Sequence, residues 1–505
     1  MTNYMDRIKY FVVLVLENRA FDNVVGWLYA DQNNRPKYNI PPFPEGRPPV
    51  YYGLFENQFY NQFPGDSTKY YVQKGADNCS IPDVDPNESY CYVNRQLFEL
   101  LNCANPADEA NPTMGGFLAD YSTVRSTKQQ ALQIMQAYTP DQLPVLNTLA
   151  KAYAISDRWF SSVPSQTDCN RGFIGAGTSE GYTDNDYLEE WYDSTTIWNF
   201  LYAKGISWKI YHQDEWLGFE CYTKHLFKQL WDYIDDSKWF PTMDQFYADA
   251  ANGSLPTFSF LEPAWYEGSL GNGNDYHPPG NLLPGEEFLS QVFTSLTSNK
   301  QAWNDTLLVV TFDEHGGCYD HISPPWQAMP PWGPTPPPDQ YLQHGFKFDR
   351  YGVRVPALLI SPRIQAQTVF RSEKDWPQSP YVPYDHTSIM ATLLKWLGYD
   401  PAGAGLGQRV ANAPTFENVI TLETPRTDLP VFPSTTCSQV TDLRDMPLNG
   451  LQIYLLPLLV YNLSKGQLQV GSDGNKMIVK TIRARCRTKR DLDAYVAEFA
   501  ALHNS

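Results

Sequence analysis

Basic charge is scarce in this chain: 38 Lys and Arg stand against 56 Asp and Glu over 505 residues, a formal net charge of -18. So acidic a surface argues against nucleic acid as a partner and against a polybasic hold on anionic lipid. Long apolar runs are also missing. The first, Phe11 to Leu16, is six residues long and runs into Glu17, short of the about 7–15 apolar residues a secretory signal needs. The run from Leu451 to Leu463 is interrupted by Gln452, Pro457 and Asn462 and is too short to cross a bilayer. The chain is therefore expected to be soluble, with no visible signal peptide, and cytoplasmic or exported by a non-standard route. The eight cysteines include no Cys-x-x-Cys pair. Cys79, Cys91 and Cys103 share one polar stretch, where a local disulfide and free thiols are both open readings. No internal repeat is visible.

What is present is ample core material. Forty-two percent apolar and 14% aromatic content excludes disorder and leaves room for one large α/β domain or two to three smaller ones. The chain is organised around Thr311-Phe312-Asp313-Glu314-His315-Gly316-Gly317-Cys318-Tyr319-Asp320-His321, which follows the apolar run Thr306 to Val310. Such a run reads as a buried strand of a parallel sheet, and Asp313 and Glu314 would sit at its C-terminal end, where open α/β sheets bind ligands. Adjacent acids beside a buried strand raise each other's pKa unless a cation offsets them, so this turn reads as a metal site rather than a solvated acidic loop.

The same pattern recurs along the chain. Residues 10–16 predict a strand with Glu17 and Asn18 at its end, in the layer of Asp313 and Glu314. From about Asp31 to Asn111 the chain is dense in Pro, Tyr, Asn and Gly, which predicts a loop-rich cap insertion. Helices are predicted over Ala131 to Tyr138 and Leu143 to Tyr153. Small residues at 172, 175, 176 and 177 suit a tightly packed helix, whose start can meet an anion on free N–H groups. Thr167 by itself reads as readily as a helix cap. Strands are predicted at Ser207 to Tyr211, with His212 at its end, and at Thr257 to Leu261, with Glu262 at its end. A helix follows from Pro284 to Ser298, a strand from Val353 to Ser361, and a helix from His386 to Trp396. Residues from about 425 onward read as short β-like runs closed by a final helix, Thr488 to Leu502.

Glu17-Asn18-Arg19-Ala20-Phe21-Asp22, Asp157-Arg158-Trp159-Phe160 with Thr167 and Asn170-Arg171, Glu262-Pro263 with His277-Pro278-Pro279, and Asp313-Glu314-His315-Gly316-Gly317 with Asp320-His321 together resemble the phosphoesterase family. Its members are bacterial and plant non-haemolytic phospholipases C and related acid phosphatases, within the alkaline phosphatase superfamily. The resemblance runs over roughly residues 8 to 400. It implies an α/β fold, a mainly parallel central sheet flanked by helices in the alkaline-phosphatase manner. A catalytic domain would span residues 1–424, carrying the cap at about 31–111, with a small β-rich appendage at 425–505 ending in a helix.

By the same resemblance, Glu17, Asn18, Asp313 and Glu314 look like metal ligands and Thr167 like the nucleophile that also touches the metal. His277 matches the catalytic histidine, and His321 and His386 match positions near the phosphate pocket. Asn170, His212 and His315 complete the expected substrate-binding set, His212 on its strand-end position alone. One chemical departure stands out. Relatives read Pro-Gly-Pro-Thr, a residue, then Pro-Asn-Arg, whereas this chain has Pro164-Ser165-Gln166-Thr167-Asp168-Cys169-Asn170-Arg171, which bears on substrate preference. Cys169 and Cys318 are expected near each other across the site, as a disulfide or an extra ligand. One or more divalent ions, calcium or zinc, would turn the threonine hydroxyl into a nucleophile. The implied reaction is phospholipase C cleavage of a glycerophospholipid on its glycerol side through a phospho-threonine intermediate, with peripheral membrane contact. A phosphomonoesterase and a non-catalytic lipid- or protein-binding module on the same fold are the alternatives.

Overall fold

Seven consecutive residues from Tyr10 to Leu16 and seven from Thr306 to Phe312 bury almost every side chain, and the two runs form the centre of the sheet. The computed structural model describes residues 3–31, 34–42, 47–185, 191–213, 221–265, 273–335, 337–338, 341–374, 382–438 and 447–503. Its main sheet is built from β1 (Tyr10–Leu16), β2 (Tyr38–Ile40), β3 (Ala154–Ser156), β4 (Trp208–Tyr211), β5 (Phe258–Leu261), β6 (Thr306–Phe312), β7 (Ala357–Ile360) and β8 (Thr368–Phe370). The strand order is β2-β8-β3-β7-β6-β1-β5-β4. Only β7 runs antiparallel to its neighbours among these strands, so the sheet is mainly parallel, as expected. Buried on both faces, such strands carry continuous apolar runs. Leu307 to Val310 are wholly buried, each contributing about 1.5–3 kcal/mol.

Register places the chemistry. Leu16 pairs with Phe312 in the β1–β6 ladder, and the Asp313 N–H donates to the Leu16 carbonyl at 3.0 Å. Glu17 and Asp313 therefore leave the sheet at one level, with β5 on the other side of β1.

The helices that matter are α1 (Tyr90–Phe98), α2 (Pro144–Ala152), α3 (Thr167–Ala176), α4 (Met243–Asn252), α5 (Leu283–Ser298) and α6 (Thr387–Trp396). They flank the sheet, α5 against α2 and α4, and α6 against α3. The helix α3 is fully buried and ends at Gly177, whose φ of 73° gives a left-handed cap. A Cβ on Gly175 would lie 2.5 Å from the Phe227 ring, so close packing demands glycine there.

Three expectations need correction. The segment Ala131 to Tyr138 is not one helix: a helix ends at Ala131, a 3-10 turn covers Leu132–Met135 and a short strand follows. The region 31–111 does more than cap the sheet, because β2 pairs with β8 at its edge. The C-terminal region is not β-rich. Its described residues form α7 (Gly450–Tyr454), α8 (Leu456–Leu463), α9 (Asp473–Arg485) and α10 (Lys489–His503), with one isolated bridge, Pro447 to Thr488. Caps decide it: Asn449 and Gln452 form a capping box, and Ser472 accepts the Asn475 N–H. Pro457 sits in the first turn of α8, where no N–H is needed. Leu451, Leu455, Leu459 and Ile482 belong to the same core as β1 and β6, so this region is docked on the body of the protein. No described helix is long and apolar enough to cross a membrane.

Candidate active site

Thr167 is the first residue of α3, after Gln166 at the cap position. Its hydroxyl is therefore not used as a helix cap. It donates to Glu17 Oε2 at 3.1 Å and lies 3.5 Å from Asn18 Oδ1. The Asn18 N–H donates to Asp313 Oδ1 at 3.1 Å, as does the Glu314 N–H at 2.7 Å. Asn18 sits at φ 53°, the left-handed region that asparagine tolerates better than most residues. The two strand ends and the start of α3 thus converge, and Glu17, Asn18, Thr167, Asp313 and Glu314 are all buried.

Arg171, one turn along α3, offsets part of this charge. Its Nε and Nη2 lie 2.9 and 2.5 Å from Glu17 Oε1, its Nε lies 3.5 Å from Asp313 Oδ2, and Trp265 covers it with the ring centroid 4.9 Å away. One guanidinium does not balance the acids. Burial, then the neighbouring Asp313, raises the pKa of Glu17 and of Glu314 well above the usual carboxylate range.

The cap adds two more acids. Glu88 Oε2 accepts from Asn18 Nδ2 at 2.5 Å, and burial followed by Glu314 raises its pKa. Asp85 is raised by burial and then by Glu88, and it accepts the Gly450 N–H of the C-terminal region. Asp275, whose carbonyl accepts the Glu17 N–H at 2.7 Å, is pushed up to about 7 by burial. Lys489 at the start of α10 is buried near it and pushed down to about 8 by burial.

The donor set fits a dication. Asp85, Glu88 and His277 offer ligand atoms all within 4.8 Å of one another. Asp85 Oδ1, Asp275 Oδ2, Asp313 Oδ2, Glu314 Oε1 and His277 Nε2 are buried without a hydrogen-bond partner. Such orphaned acceptors are expensive unless a cation or proton meets them. Oxygen donors suit calcium, magnesium or manganese, and His277 adds a nitrogen that suits zinc.

The histidines divide sharply. His277 Nδ1 donates to the Pro278 carbonyl at 2.6 Å, which leaves Nε2 as a bare lone pair, and burial pushes its pKa down to about 3. His386 Nε2 lies 2.6 Å from the Asp313 carbonyl and its Nδ1 accepts from Trp159 at 3.4 Å, so it positions the Asp313 backbone. His315 lies 3.0 Å from Glu314 Oε2 and 2.8 Å from Gln96 Oε1, and it orients Glu314. His321 binds Asp22 at 2.6 Å within a network of Asp22, Asp320 and Arg354, and stacks on Phe59. His212 is on the edge strand's end, its ring nitrogens 2.9 and 3.1 Å from the Gln213 and Phe240 carbonyls. Neither His321 nor His212 is brought against Thr167 by these contacts.

Asn170 serves the turn rather than a ligand. Its Nδ2 donates to the Ser165 carbonyl at 2.8 Å and its Oδ1 accepts the Val163 N–H at 3.1 Å. The Asp168 N–H, the first after Thr167, donates to Asn185 Oδ1 at 2.9 Å. Cys169 and Cys318 are buried and not joined in a disulfide; the disulfides join Cys79 to Cys437 and Cys91 to Cys103. Sequence reasoning missed Glu88, Asp85, Asp275 and Lys489 in the site. For Glu88 the only signal was its acidity in a segment without periodicity.

A family model described as the phosphoesterase family matches residues 8–398. Non-specific phospholipase C6 of Arabidopsis thaliana is 35% identical over 428 residues, 84% of this chain and 74% of that protein. Non-hemolytic phospholipase C of Pseudomonas aeruginosa is 30% identical over 284 residues, 50% of this chain and 38% of its own length. A solved structure of a protein in the alkaline phosphatase superfamily from Vibrio parahaemolyticus aligns at 12% identity with a TM-score of 0.33, over 56% of this chain and 66% of that one. Likeness of that degree carries no weight for function.

Proposed function

The chain belongs to the phosphoesterase family, and we propose that it is a metal-dependent phospholipase C that cuts the glycerol-side phosphodiester of a glycerophospholipid through a phospho-threonine intermediate. One observation carries the reading: a buried threonine hydroxyl at a helix start, 3.1 Å from Glu17 and 3.5 Å from Asn18, in a carboxylate cluster with orphaned acceptor atoms. Phospholipase C relatives at about one-third identity supply the substrate class.

Glu17, Asn18, Thr167, Asp313 and Glu314, with Asp85, Glu88 and His277 beside them, are the residues that would hold the ion. A bound dication supplies positive charge that favours ionisation of a hydroxyl and draws in phosphoryl oxygens. Glu17 Oε2 takes the Thr167 proton as Oγ1 attacks phosphorus, and the glycerol oxygen leaves as its bond to phosphorus breaks, taking a proton from solvent water. Arg171 holds Glu17 and Asp313 in place. His277, whose Nδ1 lies 3.6 Å from Asp85 Oδ1, stays with Asp85 and Glu88 as a ligand. Water then attacks phosphorus, losing a proton to solvent, the bond to Thr167 Oγ1 breaks as Glu17 returns its proton, and the phosphorylated head group leaves. His386 and His315 position Asp313 and Glu314, and His321 and His212 receive no direct role.

Closure of the site favours a second reading. The groups around Thr167 are buried throughout, which suits a small phosphomonoester better than a lipid. Initial rates on a chromogenic choline phosphodiester and on the matching phosphomonoester separate the two. The proposal expects preference for the diester, lost in Thr167→Ala. Preference for the monoester gives the phosphatase, and rates equal in wild type and Thr167→Ala give a binding module.

A further inference from the structure

A second set of metal-ligating side chains lies away from the carboxylate cluster. Cys91 in α1 and Cys103 in the loop after it are joined, and His344 Nδ1 lies 3.5 Å from Cys103 Sγ. The ligand atoms of Cys91, Cys103 and His344 all fall within 4.8 Å of one another.

The histidine is held for a purpose that a disulfide does not serve. Its Nε2 lies 2.6 Å from Asp184 Oδ2, and in the tautomer with its proton on Nε2 the ring turns the Nδ1 lone pair to the sulfurs. A disulfide sulfur has no proton to give that lone pair. Three further contacts fix the ring and its carboxylate: Tyr90 stacks on it at 5.6 Å with planes 6° apart, Asn105 Nδ2 donates to the His344 carbonyl at 2.9 Å, and the Tyr90 N–H donates to Asp184 Oδ1 at 3.2 Å. Metal-bound histidines carry the same device, the far ring nitrogen donating to a carboxylate that sets tautomer and orientation. Two thiolates and an imidazole are three of the four ligands of a tetrahedral zinc site, and their softness sets them apart from the oxygen-rich cluster at Thr167.

We propose that when the Cys91–Cys103 bond is reduced, Cys91, Cys103 and His344 bind one zinc-class dication, with Asp184 as the outer hydrogen-bond partner of His344. The reductant is an external dithiol or phosphine. Two electrons break the S–S bond, two protons complete the thiols, and the reductant leaves oxidised. Metal binding then displaces both thiol protons to solvent. The ion ties α1 and its loop to the Gln343–Gly345 turn, a link the disulfide does not make. Through Gln343 Oε1, which accepts the Asp184 N–H at 2.9 Å, that turn reaches the segment whose Asn185 holds the Asp168 N–H beside Thr167.

Cobalt(II) is the probe, because only thiolate ligands give an intense near-ultraviolet charge-transfer band and the carboxylate cluster gives none. The full chain is reduced with a phosphine, desalted without oxygen and titrated with cobalt, beside an untreated portion. The expected result is a thiolate band in the reduced portion only, reversed by zinc, whose full intensity matches one thiolate-bound cobalt per chain beyond any cobalt taken up by the untreated portion. Cys91→Ser with Cys103→Ser abolishes the band, His344→Ala weakens cobalt binding at least tenfold, and Asp184→Asn weakens it about 10–100-fold. The comparison of reduced and unreduced wild type needs no variant to fold. No band in the reduced wild type overturns the proposal. So does a band that survives in the double variant, since it would belong to Cys79 and Cys437 or to the buried thiols Cys169, Cys221, Cys318 and Cys486.

Discussion

Replacing Arg171 by methionine removes the guanidinium held between Glu17 and Asp313 while keeping a long apolar stem under Trp265. Arg171 is 3% exposed and Glu17 is fully buried, so little solvent screening softens the change. Breaking a buried ion pair by deleting one partner costs about 3–5 kcal/mol, because the other charge stays buried without compensation. A dication binding the same carboxylates supplies the missing charge. At a hundred times its dissociation constant it adds about 2.7 kcal/mol to folding stability in its own right, and in Arg171→Met it also meets acids that no longer have an arginine. Equilibrium unfolding followed by tryptophan fluorescence, with chelator and with saturating metal, measures both. The expected loss is about 3–5 kcal/mol in chelator and clearly less with metal. Arg171→Lys, which keeps the charge without the planar fork, should fall between. A loss of the same size with and without metal would refute the idea that arginine and ion share Glu17 and Asp313.

Glu88→Gln and His277→Gln should each weaken metal binding by about tenfold or more, read by calorimetric titration, while leaving Thr167 untouched. Unchanged affinity in both would place the ion elsewhere. The pH dependence has a definite sign. Glu17, Glu314, Glu88 and Asp85 have pKa values raised in the fold, first by burial and then by a neighbouring carboxylate: Asp313 for Glu17 and Glu314, Glu314 for Glu88, and Glu88 for Asp85. The metal-free fold therefore binds more protons than the unfolded chain above the ordinary carboxylate range. That part of its stability is complete below the ordinary range and is lost as pH rises through the raised values. Metal replaces those protons, so the gain in Tm on adding it should grow from about pH 5 to about pH 8; a flat or shrinking gain contradicts the assignment. His212→Gln should change kcat/KM by no more than about twofold, an effect within about 0.5 kcal/mol; a large loss confined to kcat would return His212 to the site.

Much of this site was legible because parallel strands deliver their ends to one edge. Two apolar runs that stop at Glu17 and Asp313 had to place those acids together once the runs were neighbours in one sheet, and the β1–β6 register does so. Thr167 needed the resemblance, since a threonine at a helix start carries no chemistry by itself. Glu88 and Asp85 were not legible: they come from a segment with no periodicity, and only tertiary packing brings them to Glu314. Asn170 and His212 share one feature, a polar residue beside a strand or helix end whose described hydrogen bonds go to the backbone. The C-terminal helices were misread because contiguous apolar residues such as Leu455 to Val460 show no period that separates a buried helix from a strand.

The central claim is a covalent one, and it is tested by quenching the enzyme in acid during turnover of a choline-headed phospholipid and mass-analysing its peptides. The account predicts a phosphocholine adduct on the Thr167 peptide, accumulating with metal and absent in Thr167→Ala. Sustained turnover with no adduct on that peptide, or turnover that survives Thr167→Ala, would contradict it.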